Sequence, residues 1–321
     1  MMESVPEPRN HAAPVTRGGL IPVLRIVLYL LAVGAALLFL SILLLPVLIY
    51  GGFRPDRGFG PEIPLWQLTI CWVPFAVAVV LVTLGFVVFV DKRPAETLGF
   101  ARCGSWSAEI WLGVGLGLGL PFLMFAISYL AGWTKLAGSL FSEPRAHMLA
   151  VLMQSLVLMA AVAIGEETMV RGYILQTLRW GYGVFPALLA SSVVFGLGHF
   201  MNPGAAFPGF LGTTAAGLVL GYCYLATRRL WLPTAFHFAW NFALGPVFGF
   251  RVSGVAITGW MDQEIVGPSL WTGGEFGPEA GLLGMIVWIV GVPVIWWFAK
   301  HVHRPGSSGP AERVTGAGEA N

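Results

Sequence analysis

Eight apolar runs, at roughly 22–49, 64–90, 108–132, 147–170, 184–200, 207–226, 232–250 and 281–299, limit what this chain can fold into. About 20 apolar residues in a helix cross the ~30 Å hydrocarbon core of a bilayer. Two of the runs are borderline in length, so seven crossings would also fit. Composition points the same way. The 321 residues are 56% hydrophobic and only 11% charged, where a soluble domain carries about 25% charged residues. The expected fold is all-α: a polytopic membrane helix bundle with about eight transmembrane helices.

Turn and charge signals divide the runs. Gly51-Gly52, Asp91-Lys92-Arg93-Pro94, Gly181-Tyr182-Gly183, Asn202-Pro203-Gly204 and Thr227-Arg228-Arg229 each interrupt an apolar pattern. Residues 1–19 read as a flexible cytoplasmic tail and 20–304 as an integral membrane domain with a polar-motif core at 147–245. The Gly/Ser/Pro-rich 305–321 read as a disordered tail. The first run is too long for a signal-peptide core and no A-x-A pattern follows it, so it is expected to remain as a helix. Segments 133–146 and 251–280 are the longer connections, the second carrying Trp260 and Trp271, residues suited to a membrane interface. In the third run Gly113, Gly115, Gly117 and Gly119 let helices approach closely in lipid.

With eight crossings, one side receives Arg9, Arg17, Arg25, Lys92, Arg93, Arg102, Arg171, Arg179, Arg228, Arg229, Lys300, Arg304 and Arg313. The other receives Arg54, Arg57, Lys135, Arg145 and Arg251. That division, 13 against 5 of 18 Lys and Arg, places both termini in the cytoplasm. A formal charge of +2 gives no reason to expect a nucleic-acid partner. Cys71, Cys103 and Cys223 are scattered and form neither a metal-type spacing nor a disulfide framework.

The fourth run carries Gly165-Glu166-Glu167-Thr168-Met169-Val170-Arg171. Each charge near the bilayer centre costs at least ~2.5 kcal/mol, so such residues are functional candidates by default. Glu167 and Arg171 are four apart on one helical face, with the acid N-terminal, the order that favours an ion pair. Glu166 sits about 100° around the helix from Glu167 and is left for chemistry.

Two further runs supply polar groups: His199 in the fifth, and His237 with Asn241 in the seventh. Counted at helical rise from the 181–183 turn, Glu166 and His199 lie ~21 and ~22 Å away, so an antiparallel hairpin brings them to one level. His237 and Asn241 share a face at i, i+4. His237 is only four residues beyond Pro233, however. Either the 228–233 connection dips into the membrane or the site opens to the cytoplasm. A lone membrane histidine or asparagine commonly bridges helices. Together, a Glu and a His sharing a water make a general-base pair. A second His and an Asn amide can donate to a developing oxyanion. That set suits acyl hydrolysis without a serine or cysteine nucleophile.

In this order on successive helices, Glu166-Glu167-x-x-x-Arg171, Phe195-x-x-x-His199 and His237-x-x-x-Asn241 resemble the CPBP family of CAAX proteases and bacteriocin-processing enzymes, also called Abi. Arg93-Pro94-x-x-x-Leu98-Gly99-Phe100 resembles a segment that precedes the core of such proteins. The resemblance spans about 147–245 and implies an eight-helix intramembrane endopeptidase. It implies that Glu166 and His199 activate water, that His237 and Asn241 form the oxyanion hole, and that Glu167 and Arg171 hold the helices or position substrate. It implies a glutamate-dependent mechanism with no required cofactor; the alternative is Zn²⁺ held by Glu166, His199 and His237. The implied partners are membrane lipids and a peptide or protein substrate, lipidated or not, at the cell membrane.

Other classes fit less well. There is no H-E-x-x-H, no G-x-S-x-G-like serine on a membrane run, and the aspartates Asp56, Asp91 and Asp262 all lie in connections. A non-catalytic membrane partner or bacteriocin-immunity protein is the main alternative. A proton-coupled transporter would be expected to show an internal repeat.

Overall fold

The computed structural model describes residues 20–52, 64–102, 104–139, 145–257 and 259–302. The expected tails, the polar 53–63 loop and Cys103 lie outside those residues. Among the described residues the chain is a helix bundle. Helix α1 spans Leu20–Tyr50, α2 Leu65–Gly85 with a π turn at Phe86–Val90, and α3 Trp106–Leu130. Helix α4 (Arg145–Glu167) passes through a π-helical stretch, Thr168–Leu175, into α5 (Gln176–Tyr182). Then come α6 (Val184–Gly198), α7 (Phe207–Thr227) and α8 (Trp231–Phe242), which ends in a π turn at Ala243–Val247. A short α9 (Ser269–Thr272) precedes α10 (Leu282–His301).

Each of the eight apolar runs holds one helical segment. Among the described residues, six segments are long and apolar enough to cross a membrane: Ile21–Tyr50, Leu65–Val90, Trp106–Leu130, Ala146–Tyr182, Phe207–Thr227 and Leu282–His301. Helices α6, with 15 residues, and α8, with 12, are shorter. The fourth run continues well past its apolar end, since α4, the π stretch and α5 form one continuous rod, Ala146–Tyr182. Two connections read from sequence as loops carry strand. Residues Thr134–Ser139 (β1) pair antiparallel with Met261–Ile265 (β2), with an irregularity between Leu136 and Gly138.

Helix α8 carries two of the candidate residues and is buried. Phe236 and Trp240 have no exposed surface, and Trp240 stacks on Trp288 of α10 with ring centroids 4.0 Å apart. Two of the four α3 glycines make this possible. A Cβ on Gly113 would lie 2.8 Å from Leu232 O and Ala235 Cβ; one on Gly117 would lie 2.6 Å from Phe236 O and Ala239 Cβ. Gly115 and Gly119 face open space. Close backbone approach through small residues replaces the hydrophobic drive that lipid does not supply.

The start of α8 is pinned from outside the apolar core. Arg229 Nε donates to Glu109 Oε1 at 2.8 Å, joining the first turn of α3 to the α7–α8 connection. Leu230 N–H donates to Gly99 O at 2.9 Å, and Trp231 Nε1 to Ala101 O at 3.1 Å. Gly99 sits at φ 110°, and a side chain there would press on the Leu230 backbone. The helix begins two residues before Pro233, whose missing N–H costs nothing within a first turn.

The glycine contacts make a direct prediction. Gly117→Leu should drive α8 from α3 and destabilise the fold by at least the ~1–3 kcal/mol typical of overpacking. Gly119→Leu should leave the thermal unfolding midpoint in detergent unchanged. Equal midpoints for the two variants would contradict this packing.

Candidate active site

Glu166 and Glu167 end α4, where Gly165 packs closely on α2: a Cβ there would lie 3.2 Å from Ala76 Cα and from the Phe75 ring. The π-helical stretch begins at the next residue. Such local widening of a helix is frequent at functional sites.

Glu167 is fully buried and, together with Arg171, joins three helices. Its Oε1 accepts from Arg171 Nη1 at 2.7 Å and from His237 Nδ1 at 2.9 Å. The Arg171 guanidinium is also fully buried, donates through Nη2 to Gly217 O of α7 at 3.0 Å, and lies 4.5 Å above the Phe195 ring. The expected i, i+4 pair is thus formed, and the same carboxylate oxygen also orients His237. Phe195 has a second role: its carbonyl accepts from His199 Nδ1 at 2.8 Å. A carbonyl only accepts, so His199 Nδ1 carries the proton and Nε2 points elsewhere.

That other nitrogen faces Glu166. Glu166 Oε2 lies 3.9 Å from His199 Nε2 and 3.8 Å from His237 Nε2. The oxygen is shielded from solvent and makes no hydrogen bond within the protein. Both separations exceed a direct hydrogen bond and suit two groups that share one bridging water or reacting atom. Asn241, one helical turn beyond His237, is 4% exposed. Helices α4, α6 and α8 therefore bring Glu166, Glu167, Arg171, His199 and His237 into one cluster, with Asn241 adjoining along α8. The hairpin expectation that put Glu166 and His199 at one level agrees with their approach.

Among the described residues no group of three or more His, Cys, Asp or Glu side chains is disposed to hold a metal ion. Cys71 and Cys223 are free thiols. The arrangement offers a general base, a histidine partner and nearby donors, the elements of hydrolysis at an acyl carbon.

Two supporting residues, Glu109 and Glu279, were not singled out from sequence, and a third, Arg93, was read only as part of a chain break and of the segment that precedes the core. Glu109, fully buried, holds Arg229 at the entrance to α8; a lone acid at the start of an apolar run was the signal for it. Arg93 lies 4.0 Å from the Trp180 ring and donates to Asp91 and Gln176, with burial lowering its pKa against the opposing pull of Asp91. Glu279 accepts from Trp240 Nε1 at 3.1 Å, and nothing in its glycine-rich surroundings distinguished it from neighbouring acids.

The buried pair sets a stability prediction. Arg171→Leu strands the Glu167 carboxylate and should cost about 3–5 kcal/mol. Adding Glu167→Gln should recover part of that loss, as measured by unfolding in a fixed detergent. A double variant no more stable than Arg171→Leu alone would contradict the pairing.

Comparison with known proteins bears on this cluster directly. Residues 147–243 match a family model described as "Type II CAAX prenyl endopeptidase Rce1-like". No curated protein and no solved structure matches the chain. The matched span contains every candidate residue of the three motifs. Over residues 147–243, then, this multi-pass membrane protein is similar to the Rce1-like, CAAX prenyl endopeptidase type of the CPBP family.

Proposed function

We propose that the chain is an intramembrane endopeptidase of the glutamic type. Its substrate is a membrane-associated or prenylated, CaaX-type protein or peptide, the prenyl class being suggested by the matched family's description. The observation that carries the mechanism is Glu166 Oε2, solvent-shielded and 3.8–3.9 Å from two imidazole Nε2 atoms.

Glu166 takes a proton from a water that it shares with His199, and the resulting hydroxide attacks the scissile carbonyl carbon. His199 keeps its Nε2 toward that water because Nδ1 is tied to Phe195 O. His237, oriented by Glu167, presents Nε2–H in its protonated form, and with the Asn241 amide it donates to the oxyanion. As the C–N bond breaks, the proton held by Glu166 passes to the departing amine. Glu167 and Arg171 hold the helices in this register. With α6 and α8 counted as crossings, the charge distribution supports eight spans and cytoplasmic termini in a cell membrane.

The test is cleavage of a fluorogenic peptide panel, including prenylated members, by detergent-purified protein with and without a strong chelator. Glu166→Ala should lower cleavage by at least about a hundredfold, the scale of general-base catalysis, while wild type resists the chelator. Chelator-sensitive activity restored by Zn²⁺ would favour Glu166, His199 and His237 as metal ligands. Undiminished cleavage by Glu166→Ala would remove the mechanism. If no peptide is cut and Glu166→Gln with His199→Ala fully rescues a deletion phenotype, the protein is a non-catalytic partner or immunity factor.

A further inference from the structure

Outside the matched span, one buried carboxylate links the two ends of the proposed site. Glu279 lies in a short 3₁₀ turn, Pro278–Ala280, ahead of α10 and is 5% exposed. Its Oε1 accepts from Trp240 Nε1 at 3.1 Å. Trp240 is the residue before Asn241. Glu279 Oε2 accepts twice from Ser253, from the backbone N–H at 2.6 Å and from Oγ at 2.8 Å.

Ser253 stands at φ 45°, a left-handed conformation that a residue with a side chain adopts only when its surroundings hold it. The two bonds from Glu279 do that. Ser253 O in turn accepts from Asn202 Nδ2 at 2.8 Å, and Asn202 N–H donates to His199 O at 3.1 Å. An unbroken hydrogen-bonded path therefore runs from Trp240 through Glu279, Ser253 and Asn202 to the backbone of His199. Neighbouring contacts keep the path in place. Gly254 N–H donates to Phe276 O at 2.7 Å, and Gly254 packs so closely on Pro203 that a Cβ there would lie 2.1 Å from its carbonyl.

We infer that Glu279 is a positioning residue for the proposed hydrolysis: by bracketing Ser253 against Trp240, it fixes the turn that follows His199 relative to the helix bearing His237 and Asn241. Helices α6 and α8 are the shortest of the principal helices. Their relative placement decides whether the water-activating side and the oxyanion side address the same carbonyl. Small misplacements of reacting groups lower turnover by up to about a hundredfold. The inference rests on the proposed endopeptidase activity.

The experiment compares kcat and KM for wild type, Glu279→Gln, Asn202→Ala, the double variant and Glu166→Ala, each normalised to folded protein. Glu279→Gln keeps the size of the side chain but places a donor where an acceptor is required. It should lower kcat at least about tenfold with KM nearly unchanged. Asn202→Ala interrupts the same path at a partly exposed residue and should lower kcat in the same way. The double variant should fall no further than the worse single variant, since one path is broken once. If Glu279→Gln does not fold, the Asn202→Ala result decides. Unchanged kcat in the folded variants, beside an inactive Glu166→Ala, overturns the positioning role alone; an active Glu166→Ala overturns the endopeptidase mechanism beneath it.

Discussion

The site depends on how a carboxylate is kept charged in a place that water does not reach. Glu167 has no exposed surface, and one of its oxygens takes a guanidinium N–H and an imidazole N–H at once. Desolvation of a lone charge there would outweigh most of what the surrounding packing supplies. Paired with Arg171, whose other nitrogen is tied to α7 and whose face is covered by Phe195, the charge becomes an anchor. The same oxygen that neutralises Arg171 fixes the ring of His237, so helix assembly and the geometry of the candidate site meet at one contact. Glu166, one residue earlier, has no such partner within the protein and keeps an oxygen toward the two histidines.

Around this anchor the bundle is built to hold α8 still. Two α3 glycines admit its backbone, Trp288 covers Trp240, and Arg229 with Glu109 fixes its entrance. A twelve-residue helix has little intrinsic stability in isolation. Here its position is determined by contacts along its whole length and at both ends, and a polar group on it therefore has a defined place.

What the sequence made legible was periodic or chemically costly. Apolar runs located the longer helical segments, and the i, i+4 spacing of Glu167 and Arg171 implied their pair. Counting rise from the Gly181–Gly183 turn brought Glu166 level with His199 because both intervening segments are helical. The depth of His237 was not legible. It depends on where the 228–231 segment docks, and that is set by Gly99, Ala101 and Glu109, each more than a hundred residues away in the chain. The β1–β2 pairing was equally hidden, since neither Thr134–Ser139 nor Met261–Ile265 carries a strong strand pattern and each finds its partner far away in the chain. Likewise, Glu166 next to His237 required tertiary structure, whereas Glu167 next to Arg171 required only a helix.

That last contrast has a consequence for how the chain enters a membrane during synthesis. The fourth helix must be accommodated in lipid while the residues beyond it are still being made. Its buried arginine and its buried glutamate are four positions apart, so they can cancel each other on the same rod at that moment. The histidine that later joins them lies seventy positions downstream. A polar core whose first pair is self-contained lowers the cost of placing that arginine and that glutamate in lipid before their neighbours arrive.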